Sequence, residues 1–258
     1  MPDIGNYTET TTLILSEAGK YFALLLFSVL AIRLWRRWAK SPAANKFKNL
    51  LLAGAVTLVA GAIGYFSMRQ SLGKLYSYYG MSAFRSNRLP QAFTLFETSS
   101  KYWKSADALG QIGVCLLLSG NPDRGLQLIA EAKTLRKGRS APFEEFYAGL
   151  YFFTLGQQSN SVPLLAAAST DETYRWSVVK LFAVIDLDEN RAADAAELMK
   201  PFRQAEVTES DQAYIIASLK LAEGKKAEAQ AILNKFPLET LPPMWKSRFE
   251  KLQAEIHH

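Results

Sequence analysis

Internal histidine is absent from this chain, because His257 and His258 at the C-terminal end are its only two. Without an internal imidazole the chain has no Ser-His or Cys-His nucleophile pair, no histidine general base and no histidine metal site. Cysteine is equally scarce, since Cys115 stands alone, which excludes an intramolecular disulfide and a cysteine metal cluster. No pairing of catalytic acid and base stands out among the remaining residues. The sequence therefore predicts no enzyme activity, no cofactor and no metal.

Charge is missing from one long segment near the N-terminus. From Leu50 to Met68 there is no Asp, Glu, Lys or Arg, and only Thr57 and Ser67 carry a polar side chain. A helix of this length, at about 1.5 Å per residue, spans the roughly 30 Å hydrocarbon core of a bilayer. The segment predicts a transmembrane helix at about 49–69.

A second apolar run precedes it at 21–35, and the leucines and isoleucine of 13–15 extend this run to membrane length. The alternative is a signal peptide, which begins with a positively charged region. Here Asp3, Glu9 and Glu17 come first, so the flank favours a true membrane helix at about 13–37. The sequence thus predicts a tail at 1–12, a transmembrane hairpin at 13–69 and a further domain at 70–258.

The loop between the two apolar runs carries no acidic residue. Short loops rich in Lys and Arg stay on the cytoplasmic side of a membrane. The N-terminus and the domain after the hairpin would then lie on the opposite side, which is the periplasm if the membrane is a bacterial inner membrane. Because the excess of positive charge is concentrated in this loop, the later domain shows no basic face for nucleic acid. The basic residues of the loop are Arg33, Arg36, Arg37, Lys40, Lys46 and Lys48.

Small side chains recur along one face of the second apolar segment. Such a face lets two helices approach closely in lipid, where packing replaces the hydrophobic effect. Glycine is also simply common in membrane helices, and the sequence leaves both explanations open. The candidate membrane-packing face comprises Ala53, Thr57, Ala60, Gly61 and Gly64.

An internal repeat follows the hairpin. Turn-forming residues recur at intervals of 33, 36, 34 and 34, at Asn87, Gly120, Gly156, Asn190 and Gly224. Each is preceded and followed at fixed distances by a small residue, so that paired helices can close where they cross. The preceding set is Gly80, Gly113, Gly149, Ala183 and Ala217. The following set is Ala92, Gly125, Ser161, Ala195 and Ala229. One turn later a large apolar residue fills the space, at Phe96, Ile129, Leu165, Met199 and Leu233.

This pattern resembles the tetratricopeptide repeat (TPR), a helix-turn-helix unit of about 34 residues. The resemblance covers about Leu72 to Pro237, and the proline expected late in each repeat is missing from the early ones. A last helix, Trp245 to Ile256, alternates charged and apolar residues, as a solvent-facing cap does. The resemblance implies an all-α fold: a two-helix transmembrane hairpin followed by a five-repeat TPR-like α-solenoid with a C-terminal capping helix.

The resemblance further implies a groove, lined by the first helix of each repeat, that holds a segment of another protein. The same side chains could instead be core residues at helical spacing, and the sequence leaves this open. The Lys and Asn clamp that some members use for a C-terminal carboxylate is absent, since Ser77 and Met81 stand there. The candidate partner-binding groove comprises Tyr78, Met81, Phe84, Val114, Leu118, Phe146, Leu150, Phe153, Leu181, Val184, Tyr214 and Ile215.

One stretch imitates a calcium loop, with acidic residues from Asp186 to Glu197 at ligand spacing. The central glycine that the sharp turn requires is replaced by Arg191, and we therefore favour the turn of the fourth repeat as the explanation.

The sequence as a whole predicts a membrane-anchored protein-binding scaffold or assembly factor on the non-cytoplasmic side. Its expected partners are other proteins at the membrane and the lipid bilayer, with no nucleic acid and no small-molecule substrate. The alternative is a structural accessory subunit of a larger integral membrane complex. A scaffold predicts an exchangeable guest, whereas a subunit predicts stoichiometric copurification.

Overall fold

A computed structural model of the chain describes residues 22, 24–139, 141–202 and 207–257. These residues form helices joined by short turns and contain no β-strand. The chain divides into two compact units, Met1–Ile112 and Gly113–His258. The predicted tail at 1–12 and the beginning of the predicted helix at 13–37 lie outside the described residues.

The first unit contains the apolar segments and the first repeat. Helix α1 covers 24–39, helix α2 covers Ala43–Arg85 and helix α3 covers Leu89–Tyr102. With 43 residues, α2 continues from the apolar segment into the first repeat as one α-helix. At about 1.5 Å per residue it is roughly 65 Å long, twice the thickness of a bilayer core.

The second unit contains the other repeats, and helix α4 (Ala106–Leu118) begins just before it. In α6, α8 and α10 the first helices of successive repeats pack against each other, and α12 continues the series. The helices are α5 (Pro122–Leu135), α6 (Pro142–Thr154), α7 (Gln158–Ala168), α8 (Glu172–Asp188), α9 (Ala192–Leu198), α10 (Ser210–Ala222), α11 (Lys226–Leu233) and α12 (Pro243–His257).

The five predicted turn residues all adopt the left-handed conformation. Glycine reaches this region without strain, and asparagine reaches it more readily than other residues that carry a Cβ atom. A chain that must reverse direction between two antiparallel helices therefore selects these two residue types. Their φ angles are 57° at Asn87, 83° at Gly120, 69° at Gly156, 61° at Asn190 and 77° at Gly224.

Small residues lie where the two helices of a repeat cross, as the sequence predicts. A Cβ atom added to Gly80 would collide with the ring of Phe96, and one added to Gly149 would lie 2.9 Å from Leu165. In the later repeats alanine takes this place, and both Ala183 and Ala217 are fully buried. The predicted repeat is confirmed, because a larger side chain at these positions would push the helices apart.

Helix α12 closes the C-terminal end, in agreement with the predicted cap. Its apolar side chains Trp245, Phe249, Leu252 and Ile256 join the buried core of the second unit. This apolar face covers surface that the last repeat would otherwise expose, whereas Lys246, Glu250, Lys251 and Glu255 of the same helix are exposed to solvent.

Ion pairs of the buried Lys180 tie α8 to the N-terminal end of α10. Lys180 is only 9% exposed, and its amino group contacts the carboxylates of Glu209 and Asp211. Burial favours the neutral amine, but the hydrogen bonds that Lys180 donates to these two carboxylates outweigh it and raise the pKa of Lys180. The lysine therefore stays charged and bridges two neighbouring repeats.

Candidate functional site

Five of the twelve side chains predicted to line the groove are buried in the core instead of lying at the surface. Each exposes at most 6% of its area. They hold the helices of the repeats together and offer a partner no contact. These residues are Val114, Phe153, Leu181, Val184 and Ile215.

The other seven side chains keep accessible area. Tyr78 in the first unit is 47% exposed, and Leu118 in the second unit is 45% exposed. The rest are half-buried, with one side against the repeat and the other open. They are Met81, Phe84, Phe146, Leu150 and Tyr214.

Aromatic contacts orient the half-buried residues of the second unit. The ring of Phe146 on α6 stacks on that of Tyr174 on α8, with 4.9 Å between centroids. Tyr214 on α10 packs against Trp245 of α12 at 5.9 Å. Because each ring is fixed by a neighbour, this aromatic surface is preorganised, which lowers the entropic cost of binding a partner.

Arg248 of α12 joins three first helices on this surface. Its guanidinium donates to both carboxylate oxygens of Asp188 at 2.6 and 2.9 Å. It also lies 5.2 Å from the ring centroid of Phe153 and 5.7 Å from that of Tyr214. Burial disfavours the charged form, but the hydrogen bonds to Asp188 outweigh it and raise the pKa of Arg248. The arginine is therefore a fixed positive charge at the end of the aromatic surface.

Sequence reasoning missed Arg248 and Asp188 as part of this surface. They are separated by 60 residues, and neither stands at a position that the repeat constrains. One sequence signal was available: α12 follows the last repeat at the place where the first helix of a further repeat would begin. A helix at that place packs beside the preceding first helices, so its residues can join their surface.

A cavity of about 460 Å³ lies between the C-terminal end of α8 and helices α10 and α12. Its lining mixes apolar and charged groups. Lining residues include Leu187, Tyr214, Ser218, Leu221, Lys251 and Glu255.

Among the described residues there is no group of three or more His, Cys, Asp or Glu side chains that could hold a metal ion. In the stretch that imitates a calcium loop, Arg191 forms ion pairs with Asp186 and Glu189. The positive charge that replaces the required glycine thus occupies the carboxylates that calcium would need.

Cys115 is fully buried on α4. Burial raises the pKa of its thiol to about 12. The thiolate is the reactive form, so this side chain is an inert part of the core.

The basic residues Lys133 and Arg136 at the end of α5 form ion pairs with the start of α6. Arg136 forms two hydrogen bonds, at 2.6 and 2.7 Å, with the carboxylate of Glu144, which is 3% exposed. Lys133 lies 3.6 Å from the carboxylate of Glu145, which is 6% exposed. These pairs join α5 to the start of α6, so both basic residues have a structural role.

Helices α1 and α2 meet through the predicted small-residue face. Ala53 is fully buried and Ala60 is 9% exposed, while a Cβ atom on Gly64 would lie 2.9 Å from Leu24. Trp35 donates a hydrogen bond from Nε1 to Thr57 Oγ1 at 3.0 Å. Gly61 differs, because a Cβ atom there would meet nothing within 4 Å. It lines an open apolar groove of about 570 Å³ between the two helices.

Among the described residues one helix is long and apolar enough to cross a membrane, and it lies at Asn45–Arg85 within α2. Length and composition are the whole of this evidence, and core helices of soluble proteins pass the same test. The two-helix transmembrane hairpin thus stays a prediction.

Comparison with known proteins identifies the fold. No family model matches the chain, and no curated protein does either. Among solved structures, PilF of Pseudomonas aeruginosa matches with a TM-score of 0.54 and 17% identity, over 73% of this chain and 84% of that one. A MamA mutant and MamA of MSR-1 follow, with TM-scores of 0.47 and 0.45 and identities of 20% and 17%. They cover 63% and 71% of this chain and 94% and 97% of their own.

PilF and MamA contain tetratricopeptide repeats. The match to PilF, together with the turns and crossings described above, shows that the chain has an all-helical fold of the TPR type. At 17% identity the match identifies the fold alone.

Proposed function

We propose that this protein is a membrane-anchored scaffold or assembly factor, without enzyme activity, that holds a partner protein on its repeats. The observation that carries the proposal is the row of partly accessible apolar side chains on the first helices of the second unit. We define this first-helix surface by Leu118, Phe146, Leu150 and Tyr214. Arrays of this fold offer such surfaces to helical or extended segments of other proteins.

The surface of α1 and α2 supports the anchor. Large apolar side chains point outward around both helices, with Leu25 61% exposed, Leu58 77% and Phe66 59%. Soluble proteins rarely expose a contiguous apolar patch of more than a few hundred Å². A lipid environment removes this difficulty, because the same side chains then face hydrocarbon.

Orientation follows from charge. The basic residues in the turn between α1 and α2 and in the adjoining helix ends support a cytoplasmic turn, which would put the repeats on the non-cytoplasmic side of a bacterial inner membrane. A single cysteine in this turn, at Ser41→Cys on a Cys115→Ser background, tests the orientation. It should resist an impermeant thiol reagent in intact cells and react after permeabilisation. Labelling in intact cells would reverse the topology.

Partner capture tests the first-helix surface. Leu118→Glu together with Leu150→Glu places two buried charges in an apolar contact, so crosslinking of a partner in native membranes should be lost. Leu135→Glu with Val162→Glu is the matched control, because these side chains are 54% and 39% exposed on the second helices α5 and α7. Both variants should keep the helical content of the parent. Equal crosslinking in the two variants would place the site elsewhere.

The alternative, a structural accessory subunit of a larger membrane complex, is favoured by the groove at Gly61. A partner's transmembrane helix could pack there, since small residues allow close approach in lipid. This role predicts stoichiometric copurification in mild detergent, and Gly61→Leu should abolish it. The control Leu58→Ile, at an outward-facing position, should leave copurification unchanged.

A further inference from the structure

The level at which α2 leaves the bilayer can be estimated from its own length. Gly73 lies five residues after Met68 on the same uninterrupted helix, which is about 7–8 Å along the axis. Each headgroup layer of a bilayer is about 5–8 Å thick. If the hydrocarbon core ends at Met68, Gly73 lies within the headgroup layer.

Helix α1 sets the opposite boundary independently. Because Trp35 bonds Thr57 and Leu24 contacts Gly64, the two helices run antiparallel, and Arg33 and Arg36 lie roughly level with residues 53–58 of α2. Arginine side chains near helix ends extend toward the headgroups, so the inner boundary lies about one helical turn nearer the α1–α2 turn, at about residues 49–54 of α2. A hydrocarbon core of about 30 Å, or about 20 helical residues, then ends at about residues 69–74.

The C-terminal end of α3 returns to the same level. Arg69 Nη2 donates a hydrogen bond to the Lys101 carbonyl oxygen at 2.9 Å. A Cβ atom on Gly73 would lie 2.7 Å from Cβ of Trp103, and Ser99 donates to the Gly73 carbonyl at 2.7 Å. These contacts fix the end of α3 against α2 at the height where both estimates place the membrane surface.

The side chains at this end have the character of an interfacial region. Trp103 is 40% exposed, and Lys101 and Lys104 are exposed beside it. Tryptophan is enriched at the membrane–water interface, and basic side chains near the surface attract anionic lipids. Two acidic residues, Glu97 and Asp107, flank this stretch of α3 and the following turn. Arg69 and Lys74 of α2 carry further positive charges, so basic residues outnumber acidic ones in this region.

We infer that Arg69, Lys101 and Trp103 form a lipid-contact surface that binds anionic phospholipid headgroups. The first repeat then lies on the bilayer, with Trp103 in the interface and the basic groups beside the phosphates. This inference rests on the proposed membrane anchorage. It adds that the anchor and the first repeat share one rigid helix and one lipid contact, instead of being joined by a tether.

Depth measurements in nanodiscs test the surface. The full chain with Cys115→Ser carries one fluorophore at Lys104→Cys, at Ser86→Cys or at Phe66→Cys. Ser86 is the matched control, because it lies at the other end of the same repeat, about 20 Å from Gly73 along α2. Nitroxide-headgroup lipid should quench the label at 104 strongly and that at 86 weakly, and nitroxide-chain lipid should quench that at 66.

The label at position 66 reports on the membrane anchor and the label at position 104 on the lipid-contact surface, so the two hypotheses can fail separately. Quenching at 66 with equally weak quenching at 104 and 86 overturns the lipid-contact surface and leaves the anchor in place. Absence of quenching at 66 overturns the anchorage and the inference together.

A charge variant tests the lipid class. In discs of phosphatidylcholine containing phosphatidylglycerol, Lys101→Gln should weaken the contact with the headgroups. The ratio of lipid-bound to unbound label at position 104 should fall by about fivefold. Arg88→Gln, which removes a charge at the far end of α3, should change nothing. Equal quenching at 104 with and without phosphatidylglycerol would overturn the selectivity for anionic headgroups.

Discussion

Gly113 and Gly125 face each other across the crossing of α4 and α5, and neither position has room for a side chain. A Cβ atom added to either one would lie 2.8 Å from the carbonyl oxygen of the other. Because the obstacle is backbone, the neighbouring helix must move as a whole. The closest approach of the two helices thus depends on this pair of glycines.

Gly113→Ala should therefore destabilise the protein, although alanine is the better helix former by about 1 kcal/mol. Overpacking of a close crossing costs about 1–3 kcal/mol, which outweighs that gain. The midpoint of thermal unfolding in detergent measures the balance. Ala130→Val is the control, because it adds volume at an exposed position of α5 and should cost less than about 1 kcal/mol. A midpoint at or above that of the parent for Gly113→Ala would contradict the crossing.

The turn of the fourth repeat provides a second prediction. Asn190 has a φ angle of 61°, which a β-branched residue adopts only at a cost. Asn190→Val should lower the free energy of unfolding by about 1–2 kcal/mol, whereas Asn190→Gly should leave it close to that of the parent. Chemical denaturation of both variants checks this. Equal losses in both would show that the asparagine side chain, and not the φ angle, matters there.

The buried pair of Arg136 and Glu144 provides a third. Arg136→Met leaves the Glu144 carboxylate buried without its guanidinium, a change that typically costs about 3–5 kcal/mol. Replacement of both, with Arg136→Met and Glu144→Leu, should recover most of that loss because no charge stays buried. Chemical denaturation of the single and double variants gives the two free energies of unfolding to be compared. A double variant as unstable as the single one would show that the pair contributes through its shape and not its charge.

The repeat could be predicted from sequence because its constraints are local. Turn residues such as Gly156 must reach a left-handed φ, and residues such as Gly80 must be small, so both leave a signal at fixed spacing. Whether a first-helix residue faces the core or the open surface depends on a rotation of about 100° per residue, which the spacing alone does not fix. For this reason Val114 and Ile215 were expected in the groove but lie in the core. The contact of Arg248 with Asp188 joins distant segments and leaves no periodic signal.

The single thiol gives a prediction about pH. Burial raises the pKa of Cys115 to about 12, whereas a cysteine in the unfolded chain ionises near 8.5. The folded state therefore retains a proton that the unfolded state loses, and the free energy of unfolding must fall as pH rises above about 8.5. At pH 10 this amounts to about 2 kcal/mol from the thiol alone. Below pH 8 both states are protonated and the thiol contributes no pH dependence.

Other groups also titrate in this range, so the comparison needs a variant without the thiol. Cys115→Ala should lose less stability than the parent between pH 7.5 and pH 10, by about 2 kcal/mol in chemical denaturation. In the same experiment, the folded parent should react with a thiol reagent far more slowly than the denatured chain at pH 8, because almost no thiolate is present. If the parent and Cys115→Ala lost equal stability over this range, the thiol would have to ionise in the folded state, and the tight closure of α4 against its neighbours would be wrong.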